Sequence, residues 1–188
     1  MKLQPLEPLS SIGPTAIEVF NKPGHLIRRL HQISTSIFIE EAKAHDLTPV
    51  QYASLIAVEL LPGIDQTRLG RFLALDRQTV SNVVRRLEGK RLINRRRRNG
   101  RMSALYLTAA ARAMIEAVRP RIAKVDAIIL QPLTTRERET FMQLLWKLVD
   151  FNNARSRAPM TLAGRWDDLA RKAAPARPPS RGRRAALG

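Results

Sequence analysis

Residues 65–108 constrain what this chain can fold into more than any other stretch, because they carry two helix signals, a tight turn between them and then an arginine-loaded hairpin. In DQTRLGRFLAL, Leu69, Phe72 and Leu73 fall at i, i+3 and i+4 behind Asp65, an N-cap residue. That spacing predicts a short helix with one apolar face. In DRQTVSNVVRRLEGK, Asp76 stands as the N-cap of a second helix whose apolar stripe is Val80, Val83, Val84 and Leu87. The opposite face holds Gln78, Ser81, Asn82 and Arg85, with Thr79 and Arg86 beside them. Short or planar hydrogen-bonding side chains of this kind match the donor and acceptor patterns of base edges in the major groove.

RLINRRRRNGRMSALYLT then reads as two strands. Leu92 and Ile93 lead into the first, Leu105 and Leu107 alternate in the second, and Asn99-Gly100 is a hairpin turn signal. Arg95, Arg96, Arg97, Arg98 and Arg101 crowd the tip, where guanidinium groups reach phosphates or a narrow minor groove. A polar helix face alone is usually a solvated face, and a charge run alone usually serves solubility. The order decides between the readings: short helix, tight turn, amphipathic helix and basic hairpin is the layout of a winged helix-turn-helix.

The charge distribution agrees. Of the net charge of +17, residues 85–101 hold nine basic side chains against one acidic, and residues 155–188 hold nine against two. The remainder is close to balance, at 15 basic against 13 acidic. Two basic blocks on a nearly neutral body are the footprint of a polyanion binder. Neither block has the apolar face that insertion at a membrane surface requires, so double-stranded DNA is the expected partner and membrane is not.

Three contiguous stretches resemble the MarR family of bacterial transcription regulators: LTPVQYASL at residues 47–55, LGRFLALDRQTVSNVVRRLEGKRLI at 69–93, and the wing ending LYLT at 105–108. The resemblance runs from about His25 to Phe151. It implies a mainly α fold with a small β-wing, in which a winged helix-turn-helix lobe is joined to a dimerisation region built from the first and last helices. The family's wing usually carries an Asp-x-Arg pair; here the matching residues are Asn99 and Arg101, so the arginine is kept and the acid is lost. An Asn still accepts a hydrogen bond from a guanidinium but supplies no charge. Ala111 stands where the family has a Gly.

Along the chain, residues 1–24 hold Pro5, Pro8, Pro14 and Pro23 and are expected to be an N-terminal arm. From His25 to Ala44, Leu26, Leu30, Ile33 and Ile37 fall in one row with Ile27 and Phe38 alongside, which predicts a helix with a buried face. Thr48, Pro49 and Gln51 make a capping box, and Pro62-Gly63 ends the helix that follows. Thr108 is placed to cap a long helix towards Leu130, containing Pro120, and Thr134 with Glu137 caps a last one expected to bury Phe141, Leu144, Leu145, Leu148 and Phe151. Together these two helices carry more apolar surface than one small winged lobe covers, so a homodimer is expected. The assignment is 48–108 as DNA-binding lobe, 25–47 and 109–154 as dimerisation helices, and 155–188 as a basic tail whose Arg, Ala and Pro content predicts disorder.

Several functions are excluded or disfavoured. Cysteine is absent, which removes disulfides, thiolate metal sites and thiol-based oxidant sensing. There is no GxSxG elbow, P-loop, HExxH or Gly-rich dinucleotide turn, so neither catalysis nor a cofactor is expected. His25, His31 and His45 are spaced by six and fourteen, which puts no two on adjacent turns of one helix face, and no metal is expected. No run of about 18 apolar residues and no signal segment occurs, so a cytoplasmic location is expected.

The expected mechanism is a dimer presenting two copies of the residue 77–89 helix to successive major grooves of a pseudo-palindromic operator. Gln78, Thr79, Ser81 and Asn82 would read bases, Arg77, Arg85 and Arg86 would hold phosphates, and Arg101 with its neighbours would reach the minor groove. Bound near a promoter, such a dimer represses. GHLIRRL followed by LTPVQYASL is similar to a subgroup that controls aromatic-acid catabolism, including repressors of nicotinate degradation. That resemblance implies a small aromatic carboxylate as effector, with His25, Arg28, His31 and Tyr52 as candidate partners in an otherwise apolar cleft. The alternative is a sequence-indifferent architectural DNA-binding protein. A polar, largely uncharged Gln78, Ser81 and Asn82 surface argues against it, because charge alone would serve that role.

Overall fold

The structure is a computed structural model that describes residues 20–97 and 103–161. The expected arm up to residue 19, the wing turn with Arg98 and Arg101, and the chain beyond Thr161 lie outside the described residues. Helix α1 spans Pro23–Glu41 and starts on Pro23, inside the region assigned to the arm. A 3-10 turn at Lys43–His45 leads to Asp46 in the left-handed region, at φ 48, and the chain then enters α2, Pro49–Leu60. Helices α3, Gln66–Leu73, and α4, Arg77–Gly89, follow. The wing pairs β1, Ile93–Arg97, with β2, Ser103–Leu107, antiparallel and with Arg95 opposite Leu105. Helix α5, Ala109–Ile129, and α6, Thr135–Asn152, complete the order.

Beyond α1, the helix starts are where the sequence places them, because each cap is a contact over three residues. Thr48 and Gln51 close a reciprocal box, Asp65 accepts the Arg68 N–H at 2.9 Å, and Asp76 accepts the Thr79 N–H at 2.9 Å. Thr108 caps Ala111, and Thr134 forms its box with Glu137. Each satisfies backbone donors that a helix leaves unpaired in its first turn. Pro120 sits inside a helix that continues through it.

One apolar core joins α2, α3, α4, the wing and the first half of α5. Leu55, Leu69, Val84, Leu87, Leu105, Ile115 and Val118 are fully buried within it. Gly70 lets α3 and α4 cross: a Cβ there would stand 3.0 Å from the Leu75 carbonyl oxygen and 3.1 Å from Val80. A smaller cluster of Phe38, Ala42 and Val125 ties α1 to α5, with Tyr52 of α2 packed against it.

Two expected buried faces are not buried in the single chain. On α1, Leu26, Ile27, Leu30 and Ile33 are exposed, and Phe38 is the one buried residue of the helix. On α6 no residue is buried, and Leu144, Leu148 and Phe151 stand 54%, 55% and 76% exposed. Met142, Trp146 and Val149 widen that surface. The physical reason is that one chain offers these faces nothing apolar to pack on. Within the region assigned to the basic tail, residues 156–161 are linked by hydrogen bonds to Asn153 and Arg71. Among the described residues no helix is long and apolar enough to cross a membrane.

Candidate nucleic-acid interface

Helix α4 is oriented by its stripe. Val80, Val83, Val84 and Leu87 are buried, which turns Gln78 and Arg85 fully outward and leaves Ser81 and Asn82 half-exposed on the same side. Asn82 Oδ1 lies 3.5 Å from both Gln78 Nε2 and Arg85 Nη1, so the three side chains form one loosely bonded polar surface. Thr79 is engaged differently. Its hydroxyl donates to the Asp76 carboxylate at 2.6 Å, beside the backbone cap, and these bonds hold the Asp76 carboxyl below the usual carboxylate range. The Thr79 hydroxyl hydrogen is therefore committed to the helix start, and only its oxygen lone pairs and methyl group remain for a base. Arg77 and Arg86 are exposed and have no ion pair among the described residues.

The wing arginines divide by role. Arg95 forms a two-pronged ion pair with Glu88 of α4, Nε to Oε1 and Nη2 to Oε2, both at 2.7 Å. With the Gln66 amide turned so that its oxygen faces the guanidinium, Gln66 accepts from the same group at 3.0 and 3.1 Å. Arg95 thus braces the wing against α4 and α3. Arg96 lies over the Tyr106 ring, 5.1 Å from its centre, and Arg97 is exposed. At the far end of α4, Lys90 reaches back to the Asp46 carboxylate at 2.8 Å and to the Asp46 carbonyl oxygen. That ion pair lowers the Asp46 pKa and fixes the end of α4 to the junction of α1 and α2.

The candidate effector residues are only partly gathered. His25 Nδ1 and Arg28 Nη2 stand 3.4 Å apart on α1, and Arg28 also donates to Gln32 at 3.2 Å. His31 is exposed along an open groove with Gln32, Ile33 and Ser36. Tyr52 meets α1 further on, at Phe38, with ring centres 6.0 Å apart, about two helical turns beyond His31. Burial pushes the Tyr52 hydroxyl pKa up, which keeps it a neutral hydrogen-bond donor.

Comparison with known proteins agrees with this architecture. A family model described as MarR family matches residues 45–101. The transcriptional regulator HosA of Escherichia coli is 32% identical over 132 residues, which is 69% of this chain and 96% of HosA. The chain belongs to the MarR family. Also similar is the HTH-type transcriptional repressor NicR of Pseudomonas putida, 28% identical over 72% of this chain and 87% of its own. Among solved structures, Bordetella bronchiseptica BpsR, described with a mechanism for regulation of its DNA binding by 6-hydroxynicotinic acid, is 27% identical. It superposes with a TM-score of 0.66 over 70% of this chain and 96% of its own. As a MarR-family member the protein is a transcriptional regulator.

The brace between wing and α4 has a measurable consequence. In a double-mutant cycle on unfolding free energy, Arg95→Ala and Glu88→Ala should couple by about 0.2–1 kcal/mol, the range of a part-exposed ion pair. Additive losses would show that the two side chains do not hold the wing.

Proposed function

We propose that this MarR-family regulator is a homodimeric repressor that reads a pseudo-palindromic operator and is released by a small aromatic carboxylate. The observation that carries the DNA reading is the outward Gln78, Ser81, Asn82 and Arg85 surface of α4, held by a buried stripe on the other side. Such a helix presents planar amides to base edges, while Arg77 and Arg86 flank it for phosphates. Arg97, Arg98 and Arg101 of the wing are assigned to the minor groove or backbone. Arg95 and Arg96 are assigned to hold the wing in place first and to touch DNA only second.

Dimerisation is supported by the exposed apolar faces of α1 and α6, which include Leu26, Ile33, Leu144, Leu148 and Phe151. Contiguous apolar patches of this kind are unfavourable in water, at roughly 25 cal/mol per Å² of apolar surface. A second copy supplies matching surfaces. The two α4 helices then meet half-sites about one turn of the double helix apart. Residues 25–47 and 109–154 form the dimer region in this reading, and 48–108 the reading lobe.

The effector assignment rests on likeness to NicR and to BpsR, whose DNA binding is described as regulated by 6-hydroxynicotinic acid. On α1 the His25 and Arg28 pair offers the cation and donors that a carboxylate needs, and His31 extends the same surface. Tyr52 contributes from the reading lobe. A ligand bridging α1 and α2 would change how the lobe sits against the dimer helices, and with it the separation of the two α4 helices.

Asn82→Ala should weaken binding to the selected operator by about 1–3 kcal/mol and leave binding to random duplex unchanged, as read by competition at near-physiological salt. Equal losses on both DNAs would mean that α4 does not read sequence. For the effector, 6-hydroxynicotinic acid is the first probe. It should release operator from the wild-type protein at concentrations that leave Arg28→Ala and His31→Ala bound; release of all three alike would remove this pocket.

A further inference from the structure

Past α6 the chain does not leave the domain. Asn153 clamps Met160 from both sides, its Nδ2 donating to the Met160 carbonyl and its Oδ1 accepting the Met160 N–H, each at 2.8 Å. Within the loop so closed, the Ser156 hydroxyl accepts the Ala158 N–H at 3.2 Å. The Thr161 N–H then donates to the Arg71 carbonyl oxygen at 2.9 Å, fastening the strap of residues 156–161 to the end of α3. The strap forms one wall of a groove of about 870 Å³, and the other wall comes from α3 and the N-terminal end of α4.

The charges along this groove are the informative part. Arg157 lines it from the strap, and Arg71 and Arg77 line it from the helix-turn-helix. All three are exposed, and none has a carboxylate partner among the described residues. The two acids present, Asp65 and Asp76, are engaged as helix N-caps, and Asp65 also faces Arg68 at 3.6 Å. Arg95 reaches the groove as well but is held by Glu88. Three guanidiniums without an ion pair among the described residues thus line the groove beside the N-terminus of α4, together with the Asp65 and Asp76 carboxylates; α4 is the helix assigned to enter the major groove while phosphates pass on either side.

We propose that this strap is a second DNA-contact element, in which Arg157 together with Arg71 binds a phosphate flanking the half-site that α4 reads. The inference rests on the assignment of α4 as the recognition helix. Its ligand is the sugar-phosphate backbone of double-stranded DNA, which guanidinium groups bind without regard to sequence. Residues 162–188, which follow Thr161 in sequence, carry seven basic and two acidic side chains. The strap therefore sets the point from which the basic C-terminal block starts, next to the reading helix.

The test compares full-length protein with Arg157→Ala and Asn153→Ala, titrating operator duplex and random duplex across a range of salt. Arg157→Ala should reduce the slope of log affinity against log salt by about 0.9 for each bound chain, on both DNAs. Asn153→Ala keeps every charge but opens the clamp, and it should lower the slope as well while unfolding at the temperature of the parent. A chain ending at Thr161 should still respond to Arg157→Ala, which separates the strap from the block that follows it. An unchanged slope in either full-length variant overturns the proposal, and so does tighter binding, which would make the strap a cover over α4. If wild-type protein held random and operator DNA equally, the reading assigned to α4 would fail, yet the slopes on random DNA would still decide the strap.

Discussion

The reading lobe depends on two main-chain hydrogen bonds at one residue. Leu105 in β2 donates its N–H to the Ile64 carbonyl and accepts the Gly63 N–H, both at 2.9 Å, while its side chain is fully buried. These bonds dock the second wing strand on the turn between α2 and α3, so the wing is fixed to the helix-turn-helix through backbone. The turn can lie that close because Gly63, at φ +85, has no side chain; a Cβ would stand 3.0 Å from the Tyr106 hydroxyl. Glu88 and Arg95 brace the wing a second time, from the outer side of α4. With both attachments in place, the polar face of α4 and the basic strands keep one geometry relative to each other, which a groove reader needs in order to contact base edges and phosphates in register.

The rest of the molecule is built for something outside the single chain. The lobe around Leu55, Leu87 and Leu105 is closed, whereas α1 and α6 hold their large apolar residues in solvent. A closed reading head joined to open helical faces is the division expected when dimer geometry sets the spacing of two heads. The contact of Lys90 with Asp46 is one direct link between the two parts, joining the C-terminal end of α4 to the junction leaving α1, beside the packing of Tyr52 on Phe38. In the proposed mechanism an effector at α1 and α2 acts on that junction. It shifts the heads without disturbing either reading surface.

What was legible in the sequence follows from the range of each interaction. The caps at Thr48, Asp65, Asp76, Thr108 and Thr134 are three-residue events and were readable directly. The stripe of α4 was equally clear, because Val80, Val83, Val84 and Leu87 leave one helical face for the core. Periodicity marks which faces of α1 and α6 are apolar but not what covers them, and Leu26 and Leu148 stand exposed in the single chain. Sequence alone leaves Arg95 without a partner, since Glu88 lies seven residues back across a turn and no spacing rule pairs them. Residue chemistry groups Tyr52 with the His25 and Arg28 pair, and the fold sets them about three helical turns apart along α1. The strap carries no sequence signal, because its arginine and proline content is that of a loose tail and the two hydrogen bonds from Asn153 span seven residues with no motif.

The dimer is the step on which operator symmetry, effector response and the open helical faces all converge. Sedimentation velocity on the full-length chain at micromolar concentration tests it most directly. A single species with the mass of two chains, persisting on dilution and without DNA, is the expected result. A species with the mass of one chain would contradict it, and would leave the exposed faces of α1 and α6 to a different partner.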